Sequence, residues 1–395
     1  MDYIFSDKIS SLQPSAIREI LKATAGGDVI PFAAGNPAPE AFPIKEVEAV
    51  AADIFKNKPI RALQYGVTEG YRPLLDRLKD YVKNKDNMGK SFDSMIITSG
   101  AQQVMDLATK VLCNEGDTII CESPSFIGSL NCFRSYNCYL RGVDVEADGI
   151  NIEELERALQ EEENVRFIYV IPNFQNPSGA TMSLEKRKAV YELAKKYNTL
   201  ILEDNPYGEL RVSGQDLPNI KSMDEDGLVI YAGSFSKILA PGIRVGFALA
   251  PDEIIGKMTV GKQASDVHTP VFSQMLVNQW MADYDLGAHI EKLKAIYSKK
   301  LNLMCDLIDS ELNHLFTYNR PQGGLFVWCL LPDGVNMPGF VKAAAERGVA
   351  LVPGSAFLVD QSEETQAVRL NFSTPTDDKI VEGIDILRGL SHCFI

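Results

Sequence analysis

The 395-residue chain has few of the residues that build metal and disulfide sites. Its four histidines, at 268, 289, 314 and 392, have no second His or Cys at ligand spacing, so no metal centre is expected. The seven cysteines, at 113, 121, 132, 138, 305, 329 and 393, are odd in number and include no C-x-x-C pair. Residues 1–7 lack a basic stretch followed by an apolar one, so the expected setting is a reducing cytoplasm with free thiols. No run approaches the roughly 18 apolar residues of a membrane span. Positive charge is also scarce. Lys and Arg number 39 against 53 Asp and Glu, a net charge of −14 that disfavours nucleic acid or an anionic membrane as a partner. The dinucleotide, Walker and G-x-S-x-G signatures are missing too.

What remains is a chain with 45% hydrophobic residues, long enough for a large and a smaller domain. Residues 32–43 are Pro-rich, and Pro37, Pro39 and Pro43 exclude regular helix there. From about 94 to 250, short apolar runs alternate with amphipathic stretches. Met95–Thr98, Thr118–Cys121, Arg166–Ile171, Leu200–Glu203, Val229–Ala232 and Val245–Ala248 read as buried strands. Ala101–Leu112, Ile152–Leu159 and Leu184–Lys196 read as helices between them. That alternation predicts an α/β architecture with a mostly parallel sheet covered on both faces. After about 285 the pattern changes to a helix over 286–313, a strand near 323–329, a helix near 338–347, short strands near 349–352 and 367–371, and a helix near 377–389. The expected division is a large domain over 44–285 and a smaller α+β domain built from 1–43 and 286–395.

Three segments at strand ends carry candidate chemistry. Thr98-Ser99-Gly100-Ala101-Gln102 joins a strand to a helix N-terminus, where backbone N–H groups suit an anion, although a capped βα turn would look the same. Asp204 stands at a strand end, where open α/β folds bind ligands, or else caps the next turn. In Gly233-Ser234-Phe235-Ser236-Lys237, a lysine among small residues beside a buried sheet can lose its charge and become a nucleophile, and Arg244 follows past a Pro-Gly turn.

Together these segments resemble the pyridoxal-phosphate (PLP)-dependent transferases of fold type I, and within them the class I/II aminotransferases. The motifs are S-F-S-K (Ser234 to Lys237), P-G-x-R-x-G (Pro241 to Gly246), P-N-x-x-N-P-x-G (Pro172 to Gly179) and D-x-x-Y (Asp204 to Tyr207). They stand in the family's order, and the resemblance runs from about residue 15 to 373. It implies that Lys237 is the Schiff-base lysine and general base, and that Asp204 pairs with the pyridine nitrogen and keeps it protonated. Asn176 and Tyr207 would hydrogen-bond the cofactor's 3′-oxygen, and Phe126 would stack on its ring where many relatives have Tyr. The phosphate would rest on the N–H groups of Ala101 and Gln102, on Ser234 and Ser236, and on Arg244; some relatives carry a hydroxyl residue at the Ala101 position. Tyr65 resembles the tyrosine that reaches the phosphate across a homodimer interface, although a turn tyrosine would read alike. Arg369 matches the arginine that grips the substrate α-carboxylate, with Asn176 alongside it, and the backbone of Gly35 would lie against the substrate.

Ser15-Ala16-Ile17-Arg18, the G-x-P-x-P-E-x-F-P run from Gly35 and the L-Q-Y-G-x-T-E-G-Y run from Leu63 most resemble the 2-aminoadipate and kynurenine aminotransferase group. There Arg18 would meet a distal carboxylate; the alternative is a surface arginine on an amphipathic helix. The resemblance implies ping-pong transfer of an amino group from an L-amino acid to a 2-oxo acid, with glutamate and 2-oxoglutarate as one pair. A carbon–sulfur β-lyase or a decarboxylase on the same scaffold would share Arg369. A ligand-sensing regulator would carry a basic DNA-reading head, at odds with this acidic chain.

Overall fold

A computed structural model describes residues 3–10, 12 and 29–394. The first sheet contains eight strands: β1 (Asp93–Thr98), β2 (Thr118–Ser123), β3 (Tyr139–Glu146), β4 (Gly149–Ile150), β5 (Val165–Val170), β6 (Leu200–Asp204), β7 (Val229–Ser234) and β8 (Gly246–Pro251). Their order is β1-β8-β7-β6-β5-β2-β3-β4. The central run from β3 through β2, β5 and β6 to β7 is parallel, whereas β8 is antiparallel to both β7 and β1.

Alternation along the strands sends neighbouring residues to opposite faces. Phe167, Tyr169, Leu202 and Ile230 join one apolar cluster with the helix Ala101–Leu112. Ile168, Val170, Ile201 and Val229 join another with the helices Ile152–Glu161 and Leu184–Tyr197. The two covered faces are those expected from the continuous apolar runs. The strand β3 was not expected. Only Val143 of its eight residues is fully buried, because the strand lies near the sheet edge, and its sequence lacks the apolar run of its neighbours.

The second sheet has the order β11-β12-β10-β9, from β9 (Thr317–Tyr318), β10 (Phe326–Leu330), β11 (Val352–Pro353) and β12 (Ala367–Asn371). The strand expected near 349–352 is only the two-residue β11, shifted toward Pro353. The N-terminal segment joins this half of the molecule: Ile30 bridges Val349, and the Asn371 amide donates to the Phe32 carbonyl at 2.8 Å. In the Pro-rich run a single 3-10 turn, Pro39–Ala41, is the only helical geometry. The 26-residue helix Leu286–Glu311, capped by the Asp285 side chain on the Ala288 amide, leads from the first sheet to the second. The largest apolar cluster contains Leu74 and Trp280 from one half and Phe340 and Leu387 from the other. No helix among the described residues is long and apolar enough to cross a membrane.

Candidate active site

The carboxyl ends of β5, β6 and β7 open into a cavity of about 380 Å³, lined also by Gly35, Phe326 and Arg369 from the second half. Its floor is fully buried. Asp204 ends β6 and projects to the face shared by Leu202 and Tyr169. Its Oδ2 accepts a 2.8 Å hydrogen bond from the Tyr169 hydroxyl, while Oδ1 is buried with no protein partner. Burial pushes this carboxyl up to about 7. A carboxylate with one bare buried oxygen is arranged to receive a cationic donor from whatever fills the cavity.

Lys237 follows β7 and donates from Nζ to the Gly35 carbonyl at 2.6 Å. Burial, then the positive charges of Arg369 and Arg244, lower its amine to about 8. No carboxylate offsets these effects, so the neutral nucleophilic form is within reach near neutral pH.

Arg369, in the middle of β12, packs on the rings of Phe326 and Phe357, with its guanidinium carbon 4.1 and 4.8 Å from the two ring centroids. It donates to Asn176 Oδ1 at 2.8 Å and to the Ala33 carbonyl at 3.0 Å, but its Nε has no partner. Burial lowers it to about 9. Asn176 also lies 3.5 Å from the Tyr207 hydroxyl, which burial pushes upward, so Arg369, Asn176 and Tyr207 form one wall.

The opposite end of the cavity suits an anion. The helix Ala101–Leu112 begins here, and Gly100 precedes it with φ of +79°. A Cβ at Gly100 would lie 2.8 Å from the Arg244 guanidinium carbon, so only glycine allows this approach. Arg244, itself left-handed with φ of 52°, donates to the Ser99 carbonyl at 2.9 Å and lies 3.5 Å from the Ser236 hydroxyl. Ser234 accepts from the Ser236 amide at 3.1 Å. Ala101, Gln102, Ser234, Ser236 and Arg244 all line this end. Phe126 lines it too, its ring packed where a side chain on Gly128 would stand. The Gln102 side chain donates to the Gly128 carbonyl at 2.9 Å.

The cavity therefore gathers the predicted residues Lys237, Asp204, Tyr207, Asn176, Phe126, Ala101, Gln102, Ser234, Ser236, Arg244, Arg369 and Gly35. Tyr65 is not among them. It lies 77% exposed on an outer turn, its ring edge-on to His268. Arg18 lies outside the described residues. Four contributors were missed from the sequence: Tyr169, Ser129, Phe326 and Phe357. The first reads as one more apolar strand position, the second as a helix serine, and the last two as core aromatics.

The family described as aminotransferase class I and II matches residues 27–387. The chain belongs to this family. It is 38% identical over 390 residues to the aromatic-amino-acid aminotransferase 1 of Thermococcus litoralis, covering 97% of this chain and 93% of that protein. The kynurenine aminotransferase of Pyrococcus horikoshii, solved with PMP, superposes with a TM-score of 0.93 at 36% identity, covering 98% of this chain and 96% of that one. The α-aminoadipate aminotransferase of Thermus thermophilus, solved with N-(5'-phosphopyridoxyl)-L-leucine, gives a TM-score of 0.90 at 35% identity, covering 98% of both chains. The protein is an aminotransferase of fold type I.

Proposed function

We propose that the cavity holds PLP and that the enzyme moves an amino group from an L-amino acid to a 2-oxo acid in two half-reactions, with glutamate and 2-oxoglutarate as one pair. The observation that carries this reading is one cavity with a low-pKa amine at Lys237, a bare buried carboxylate oxygen at Asp204 and an anion-binding end at Arg244. These match the aldehyde, ring nitrogen and phosphate of the cofactor. PLP, when bound, supplies an electrophilic carbon and a ring that accepts the electron pair left at the substrate Cα.

The chain's own residues do the rest. Lys237 would hold the cofactor through Nζ, and the same amine would move the proton at the substrate Cα. Asp204 would pair through its bare Oδ1 with the ring nitrogen and favour its protonated form. Asn176 and Tyr207 would donate to the cofactor's ring oxygen, and Phe126 would pack against the ring. Ser234, Ser236, Arg244 and the Ala101 and Gln102 amides bind the phosphate. Arg369 binds the substrate α-carboxylate with its planar fork, which the two phenyl rings hold in one orientation. Gly35 leaves room for substrate at the Lys237 side, and Arg18 reads a distal carboxylate.

The working unit is a cytoplasmic homodimer, with Tyr65 of each chain reaching the phosphate of the other. Supporting this, Ile60, Leu63 and Tyr65 are 76, 73 and 77% exposed on one apolar segment, and the seven cysteines are free. The chain divides into a large domain over 44–285 and a smaller one from 1–43 and 286–395. Borohydride treatment of the PLP-loaded protein followed by peptide mass analysis tests the reading. A phosphopyridoxyl mass on Lys237 is expected; its appearance on other lysines, or on none, refutes it.

A further inference from the structure

The Asp204 carboxylate is held by a chain of two hydroxyls. The Tyr169 hydroxyl lies 2.8 Å from Asp204 Oδ2 and 2.8 Å from Ser129 Oγ, and both Tyr169 and Ser129 are fully buried. A phenol has one proton to give. An ionised carboxylate only accepts, so that proton goes to Asp204, and Ser129 must donate the second bond to the Tyr169 oxygen. The chain is therefore directed from Ser129 through Tyr169 to Asp204, and each bond strengthens the next. Local sequence explains the placement. Ser129 and Phe133 are four residues apart on the helix Ile127–Arg134 and so share a face. Phe133 packs edge-on against the Tyr169 ring at 5.2 Å, while Ser129 meets its hydroxyl. Strand register sets Tyr169 beside Leu202, two residues before Asp204 on the same face.

This arrangement occupies one carboxylate oxygen and leaves Oδ1 bare. Resting on the reading of the cavity as a PLP site, we propose that Tyr169, backed by Ser129, is a positioning residue that aims Asp204 Oδ1 at the cofactor's ring nitrogen and keeps their shared proton on the nitrogen. The physical reason is that a donor to Oδ2 stabilises the ionised carboxylate over the protonated one. Without that donor, the buried pair lowers its energy by moving the proton from nitrogen to Asp204, and the ring accepts electrons less well.

The test uses PLP labelled with 15N in the ring, bound to wild-type, Tyr169→Phe and Ser129→Ala proteins, and follows the nitrogen signal by NMR at fixed pH. Phenylalanine keeps the packing against Phe133, so Tyr169→Phe changes only the hydroxyl. The wild-type nitrogen is expected at its protonated position. Tyr169→Phe should shift it toward the unprotonated position and lower kcat about tenfold with little change in KM, since a hydrogen bond to a charged group is lost. Ser129→Ala should shift it in the same direction by less. A nitrogen that stays protonated in both variants, or in Ser129→Ala alone should Tyr169→Phe fail to fold, overturns the proposal while leaving the cofactor reading intact. A wild-type protein that binds no labelled PLP overturns both.

Discussion

Glu203 and Asp204 are consecutive, fully buried carboxylates at the end of one strand, yet they face opposite sides of the sheet. On the Glu203 side the buried charges are fully partnered. Both Glu203 oxygens accept backbone N–H groups, from Ile220 at 2.9 Å and Lys221 at 2.8 Å. Lys221 in turn bonds Asp93 at 2.7 Å and Asp224 at 2.9 Å. Arg187 reaches four acceptors, the carbonyls of Met182, Pro218 and Pro172 and the Asn173 side chain. On the Asp204 side, Asp204 Oδ1 and Arg369 Nε have no partner. Burial is alike on both faces; satisfaction is not. A structural charge network closes on itself, whereas a binding site leaves its buried polar atoms unmatched until a ligand arrives.

Substitutions can break this contrast. Lys237→Ala should remove the nucleophile and lower turnover by roughly 10⁴-fold, leaving the melting temperature unchanged or higher, because it deletes a buried amine bonded to a single carbonyl. Asp204→Ala should lower kcat roughly 10²- to 10³-fold while PLP still binds. Its neighbour behaves oppositely: Glu203→Gln should leave kcat unchanged but cost about 1–3 kcal/mol in urea unfolding, because an amide cannot accept both N–H groups as well. Arg369→Lys should raise KM for the amino acid roughly 10- to 100-fold, since an ammonium does not reproduce the planar fork.

The pH dependence follows from Lys237. Its folded value, lowered from 10.5 to about 8, means the reactive neutral amine forms as pH rises through 8. Capture of PLP by the cofactor-free protein should quicken about tenfold per unit below that point and level off above it in stopped-flow absorbance. The smallest effect belongs to Tyr65, outside the cavity of a single chain: Tyr65→Phe should weaken PLP affinity by about tenfold or less, read by equilibrium dialysis.

The sequence carried much of the site because its residues sit at strand ends, where an apolar run stops and a polar residue must face a crevice. Lys237, Asp204 and the Ser234–Ser236 pair were legible for that reason. Tyr169 was not, because its role depends on Ser129 and Asp204, which come close only through sheet register and a helix face. The choice between Glu203 and Asp204 likewise turns on strand parity, which becomes readable once Leu202 is known to face the Ala101–Leu112 helix. Among strands, β3 was missed because it lies next to the sheet edge, covered beyond only by the two-residue β4, and carries no apolar run. The Tyr65 turn was legible as a motif, yet within one chain its ring meets His268 and not the cavity.

The central claim is amino transfer through Lys237, and the visible absorbance of the PLP-loaded protein tests it most directly. Addition of L-glutamate should abolish the band of the lysine-bound cofactor, and later addition of 2-oxoglutarate should restore it. A band that responds to neither glutamate nor any other amino acid, or that fails to return with any oxo acid, would contradict the account.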